Sequence, residues 1–347
     1  MRIATYNIEW FNSLFDDEGM LLDDKQWSSR YDVTRSDQLA ALGIVFTAMD
    51  ADAVMIIEAP DTNGKRSTIK ALENFARTMG LRTSKALIGF ANETQQEIAL
   101  LYDPDVLSAR HGPRGIETGK KGSPDAPRFD GVFRIDLDID ASEDMVVFSK
   151  PPLEVELTVK TGPQAGKVVR LIGAHLKSKA PHGATNRDEV MQMAISNRRK
   201  QQAQAVWVRR RIDMHLAAGE SLIVLGDLND GPGLDEYEGL FGRSVVEIIL
   251  GEGARGGTQL YDPHARRALV RKIGAINTTA RFYLSHEKRY MQALLDYIMV
   301  SPDLRRLAPK WRILHPFDDP DCWSLPELCT ALIAASDHFP VVLDLDL

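Results

Sequence analysis

Apolar runs of strand length recur from one end of this chain to the other, and several follow one another with no helical pattern between them. After the opening Arg2-Ile3-Ala4-Thr5-Tyr6-Asn7 they fall at 51–58 (ADAVMIIE), 98–103, 153–160, 167–175, 221–226, 294–301 and 339–345. Parallel neighbours need a long crossover, usually a helix, whereas antiparallel neighbours close with short turns. The spacing departs from a regular βαβ alternation and predicts an α/β chain with antiparallel or mixed sheets. Helices are predicted at 36–49, 67–79 and 188–217, with Ser36 and Asp188 as expected N-caps.

The 347 residues carry no internal repeat, low-complexity tract or composition shift, so a single domain spanning 1–347 is expected. The hydrophobic fraction of 44% supplies a sizeable core, and no run reaches the length of a membrane span. A strand at the N-terminus in place of a leader pattern points to the cytoplasm. Cys322 and Cys329 are too few for a disulfide framework and are read as reduced thiols.

A formal charge of −7 argues against a protein that coats nucleic acid electrostatically. It leaves room for an enzyme, which needs only a local basic groove. Two basic stretches stand out. The 188–217 helix carries Arg198, Arg199, Lys200, Arg209, Arg210 and Arg211, which read as a solvated charged face. The segment 251–289 carries Arg255, Arg266, Arg267, Arg271, Lys272, Arg281, Lys288 and Arg289 and is a candidate polyanion-binding loop. The segment 111–130 has the Gly and Pro content of a second long loop.

Polar side chains capable of metal binding stand repeatedly where an apolar strand ends. Asn7 closes the first strand, Glu58 closes ADAVMIIE, His175 closes VVRLIGAH, Asp227 and Asn229 follow SLIVLG, and Asp337 and His338 precede FPVVLDLDL. One polar strand end is ordinary turn chemistry. Five of them place a rigid set of ligands within reach of one cleft.

These residues sit in ATYNIEW (4–10), IIEAPD (56–61), SKPPLEVEL (149–157), GAHLKSK (173–179), GDLND (226–230), LDYIMVSPDL (295–304) and SDHFPV (336–341). In that order and spacing they resemble the endonuclease/exonuclease/phosphatase superfamily, and HLKSK with GDLND resembles its nuclease-like bacterial members. The resemblance implies a four-layered α/β sandwich, two mixed β-sheets packed face to face and flanked by helices. It also implies metal-dependent hydrolysis of a phosphodiester by in-line attack of an activated water.

Carried over by position, Glu58 is the implied metal carboxylate, with Asn7 and Asp337 completing the site. An oxygen-rich donor set without thiolates suits Mg²⁺ or Mn²⁺. Asp227 would orient the water, Asn229 would hold it or a phosphate oxygen, and Asp296 would fix the charge and tautomer of His338. His175 resembles the second histidine of the DNase and sphingomyelinase branches, which assists the phosphate or the leaving oxygen. Lys150, Lys177 and Lys179 are candidate phosphate contacts. Two departures stand out: Lys150 replaces the arginine common before Pro-Pro-Leu, losing the bidentate fork, and Ile57 replaces the glutamine common before the metal glutamate. Nucleic acid is the first expected substrate. A small-molecule or lipid-headgroup ester is the alternative, favoured by the acidic charge and by the lack of an evident base-stacking cluster. A noncatalytic scaffold is a remote third reading, because every motif residue is present. Membrane insertion is not expected, and nothing specifies an oligomeric state.

Overall fold

The computed structural model describes residues 1–136, 143–180, 186–231, 242–253, 257–270, 277–284 and 288–347. Two large sheets carry the fold. The first has the order β14-β15-β1-β2-β4-β3, from strands β1 (Arg2–Asn7), β2 (Ala53–Pro60), β3 (Lys85–Ile88), β4 (Gln96–Tyr102), β14 (Lys310–Ile313) and β15 (Val341–Asp344). The second has the order β13-β10-β9-β8-β5, from β5 (Leu107–His111), β8 (Leu153–Val159), β9 (Val168–His175), β10 (Leu222–Asp227) and β13 (Asp296–Val300). Two ribbons complete the strands, β6 (Phe133–Ile135) with β7 (Asp144–Val146), and β11 (Ala280–Leu284) with β12 (Arg289–Ala293).

Both sheets are mixed, as the strand spacing predicts: β1–β2 and β9–β10 run parallel, and the other neighbours run antiparallel. Central strands covered on both faces read as continuous apolar runs, and β1, β2 and β10 are buried along nearly their whole length. The sheets meet face to face in one hydrophobic cluster. Gly173 on β9 permits the closest approach, since a Cβ there would lie 2.4 Å from Met55 Sδ of β2.

Helices cover the outer faces. On the first sheet lie α1 (Arg35–Met49) and α2 (Thr68–Thr78); on the second lies α3 (Arg187–Ala217), with α4 (Val245–Leu250) against it; α5 (Pro263–Leu269) and α6 (Pro302–Arg305) are short, and α7 (Pro320–Ser324) packs on α8 (Pro326–Ala335), which packs on α1. The caps differ from the expected ones. Thr34 caps α1 in a box with Asp37, and Asn186 caps α3 by accepting from Glu189 N–H. Ser36 and Asp188 already lie inside the first turn, where a side chain no longer reaches the N3 amide.

The solvated reading of the α3 arginines is overturned for three of them. Arg198, Arg209 and Arg211 are buried, while Arg199 and Arg210 are exposed. Arg211 donates to both oxygens of buried Glu154 at 2.7 and 2.6 Å and to the carbonyls of Ala126 and Pro127, both at 2.9 Å, with its guanidinium 4.8 Å from the Phe129 ring centre. The 111–130 loop thus packs on α3 and supplies its arginine with acceptors. The predicted loop at 251–289 contains α5 and β11, and its Arg255, Arg271 and Lys272 lie outside the described residues. Among the described residues no helix is long and apolar enough to cross a membrane.

Candidate active site

The two parallel pairs bring their C-terminal ends to a common edge. On β1 and β2, Asn7 pairs with Ile57, one residue before Glu58, and on β9 and β10, His175 pairs with Asp227. The antiparallel neighbours arrive at the same edge by their first residues: Asp296 of β13 pairs with Asp227, and 336–338 lead into β15 beside β1. Register alone therefore gathers polar ends scattered along the sequence.

Asn7 Nδ2 donates to Asp227 Oδ2 at 3.1 Å, joining the two sheets. Asp227 also accepts from the Asn229 backbone N–H at 2.7 Å and from Asn229 Nδ2 at 3.2 Å, and that amide donates to Leu176 O at 3.0 Å. The turn requires Gly226, whose φ is +130° and whose missing Cβ would lie 2.1 Å from Ala174 O.

Glu58 stands at a bulge. The β2–β4 register shifts between Ile57 and Ala59, leaving Glu58 unpaired with φ of +64°, and this turns its carboxylate into the cleft. Gln96 of β4 donates to Glu58 Oε2 at 2.5 Å and accepts from Lys150 Nζ, which also lies 3.3 Å from His175 Nδ1. Gln96 is thus an amide that reaches Glu58 from the neighbouring strand. His175 Nε2 stands 4.0 Å from Glu58 Oε1 and 3.7 Å from Asp227 Oδ2.

Across the cleft His338 Nδ1 is 2.7 Å from Asp296 Oδ2. The Asp296 N–H donates to Thr279 Oγ1, and Ser336 Oγ donates to Asn7 O while accepting from the His338 N–H. The two histidines are driven apart in charge. Burial, Lys150 and His338 push His175 well below the ordinary histidine range. Burial acts on His338 in the same direction, but Asp296, Asp337 and Asp227 outweigh it and hold His338 well above that range. Asp227 is raised by burial and by Asp296.

Sequence reasoning missed Glu9. Burial, then Asp337 and Glu58, push its carboxyl up to about 7 against the opposing Arg30. Its signal was its place two residues after Asn7 in ATYNIEW. Gln96, Thr279 and Ser336 were missed because they act through neighbouring strands. Among the predicted phosphate contacts, Lys150 lies in the cleft, whereas Lys179 Nζ donates to buried Asp230 at 2.6 Å. Lys177 is half-buried near Lys150, its backbone N–H on Gln204.

The model of the Endonuclease/Exonuclease/phosphatase family matches residues 4–338. The chain belongs to that family. Family members are hydrolases of phosphate esters that generally use a divalent metal. The fold is also that of solved structures. The human Nocturnin catalytic domain with bound sulfate anion aligns at a TM-score of 0.51 and 13% identity, covering 99% of this chain and 93% of that one. TDP2 from Caenorhabditis elegans aligns at 0.50 and 14% identity, covering 99% and 74%. No curated protein matches the sequence.

For an endonuclease/exonuclease/phosphatase protein the donor chemistry fits a hard divalent cation. Asn7 Oδ1 is buried with no hydrogen-bond partner among the described residues, and burial together with the nearby Asp337 carboxylate opposes the ionisation of both Glu9 and Glu58. A cation offsets that opposition and takes the orphaned oxygen. Asp227, Asp296 and His338 form a second possible metal group, with ligand atoms within 4.8 Å of one another. The raised His338 favours an imidazolium paired with Asp296 there, so the Glu58 side fits a cation better.

Proposed function

We propose that this protein hydrolyses phosphodiester bonds of nucleic acid, with Mg²⁺ or Mn²⁺ held by Glu58, Asn7 and Asp337 and supported by Glu9. The cation supplies Lewis-acid charge to the phosphoryl group when bound. The carrying observation is geometric: Asp227 lies between His175 Nε2, 3.7 Å away, and the Asp296–His338 pair, whose ligand atoms lie within 4.8 Å of its own, and the two histidines are pushed in opposite directions from the ordinary range.

Asp227, raised toward neutrality and fixed by the Asn7 and Asn229 amides, orients the attacking water and receives its proton as the new P–O bond forms. Cationic His338, held by Asp296, donates to the phosphoryl oxygens as charge gathers on them, and the bond to the leaving oxygen breaks in line. His175 and Lys150, 3.3 Å apart, stand on the other side, where they assist the phosphate as hydrogen-bonding groups. The full complement of motif side chains in one cleft speaks against a scaffold role.

The test is hydrolysis of DNA, RNA, bis-p-nitrophenyl phosphate, p-nitrophenyl phosphate, sphingomyelin and inositol phosphates with Mg²⁺, Mn²⁺ or EDTA. Metal-dependent cleavage of nucleic acid is expected, with Glu58→Gln lowering turnover about 10²–10³-fold, the scale of a lost electrostatic stabiliser. Unchanged turnover in Glu58→Gln would overturn the assignment. A small-molecule or lipid-headgroup ester is the second reading, favoured by the charge of −7. Steep loss of affinity with added salt separates a polyanion from it.

A further inference from the structure

The β11–β12 ribbon starts at the catalytic edge. Ala280 bridges to His338, the Arg281 N–H donates to Asp337 O at 2.7 Å, and Thr279 at its foot holds Asp296. Its two faces differ by the period-two alternation of strands. One face, Ala280, Phe282, Met291 and Ala293, packs on Leu295. The other presents Arg281 and Tyr283 opposite Gln292 and Tyr290.

On that second face Tyr283 and Tyr290 are directly opposed, with ring centres 5.2 Å apart, and they are 54% and 52% exposed. The Arg281 guanidinium lies 3.6 Å from the Tyr290 ring centre and 5.4 Å from that of Phe317, itself 41% exposed. Three exposed rings and the guanidinium that lies over one of them thus cluster on one side of the ribbon, the two tyrosine rings tilted by 59°. Arg281, Lys288 and Arg289 give the described ribbon residues positive charge, and no acid is among them. Cross-strand pairing builds this cluster from residues that look unremarkable in sequence.

We propose that this face is a stacking platform for the unpaired bases of a single-stranded nucleic acid whose scissile phosphate lies in the adjoining cleft; the proposal rests on the phosphodiesterase reading and narrows its substrate to single strands. Aromatic rings and guanidinium planes stack on any base, so the platform tolerates sequence. A duplex keeps its bases stacked internally and offers these rings no free base face. The cationic groups follow the phosphates that join the stacked bases.

The experiment measures binding in EDTA of a fluorescent thymidine dodecamer and of the same sugar-phosphate strand without bases. The proteins are wild type, Tyr283→Val/Tyr290→Val, which keeps strand-favouring side chains, and Tyr283→Trp/Tyr290→Trp. Wild type is expected to bind the base-bearing strand at least about tenfold tighter than the abasic one, the scale of a single stacked base. The valine pair is expected to lose that preference and the tryptophan pair to keep it. Turnover of bis-p-nitrophenyl phosphate with metal is expected to be unchanged in both; a valine protein that loses it has lost the ribbon, and the tryptophan pair then decides. Equal binding of both strands by wild type, or an undiminished preference in a valine protein with full small-ester turnover, overturns the platform. A wild type that prefers the base-bearing strand yet cuts no nucleic acid sinks the nuclease reading alone.

Discussion

Gln96 donates to Glu58 Oε2 at 2.5 Å from the adjacent strand and accepts from Lys150 with its other amide atom. One amide therefore holds a cation and an anion in the same cleft. Gln96→Leu leaves Glu58 Oε2 and Lys150 Nζ without this partner, a loss on the order of 1–3 kcal/mol for largely buried groups. Turnover is expected to fall about 10- to 100-fold while far-ultraviolet circular dichroism stays unchanged. Wild-type rates in a folded Gln96→Leu protein would remove Gln96 from the positioning of Glu58.

Glu9 adds a carboxylate to the side of the cleft assigned to the cation. Glu9→Gln removes one negative charge and keeps the volume, so the metal concentration for half-maximal activity is expected to rise about tenfold, with turnover recovering at saturation. Glu58→Gln is not expected to recover. Titration of activity with Mn²⁺ distinguishes the two, and parallel curves for Glu9→Gln and wild type would count against Glu9 as a metal neighbour.

Arg211 and Glu154 form a fully buried pair between α3 and β8. Removing one partner strands a charge in the core, which costs about 3–5 kcal/mol. Arg211→Met is expected to lower the urea midpoint sharply, and Arg211→Met/Glu154→Leu to regain part of the loss. A double variant less stable than Arg211→Met would show that the pair is not the source.

Asp319 combines two roles, capping α7 through the Asp321 and Cys322 N–H groups and pairing with Arg312. Burial opposes ionisation, but the Arg312 bond and the cap hold its carboxyl below the usual aspartate range. The folded pKa lies under the unfolded one, so this stabilisation is present above about pH 4 and is lost as the pH falls through the folded value. Asp319→Asn keeps a good capping side chain and deletes the charge. Its melting temperature is expected below wild type at pH 7, with the gap closing as the pH falls below 4; a gap independent of pH would contradict the ion-pair origin.

The mixed sheets and most central strands were legible because buried strands are written as apolar runs, and the cleft was legible because strand register carries their polar ends to one edge. What escaped depends on partners distant in sequence. Arg209 and Arg211 look like a wet helix face until α4 and the 111–130 loop cover them, and Arg198 until it is buried beside Asp230. Gln96 carries no signal of its own, since its meaning comes from the strand beside it. The aromatic pair on the ribbon escaped the linear sequence because cross-strand register is what sets Tyr283 against Tyr290. The edge strands β3, β5 and β14 are short and half-buried, so they lack the continuous apolar run that marks central strands.

Ser336 bonds to Asn7 across 329 sequence positions, and β15 sits inside its sheet between β14 and β1. During synthesis, β1 therefore waits for a neighbour made long after it. A growing chain can collect Glu58, His175 and Asp227 without His338, and its first sheet stays open along one side of β1. The cleft therefore gains His338, and β1 its second neighbour, in one late step of folding.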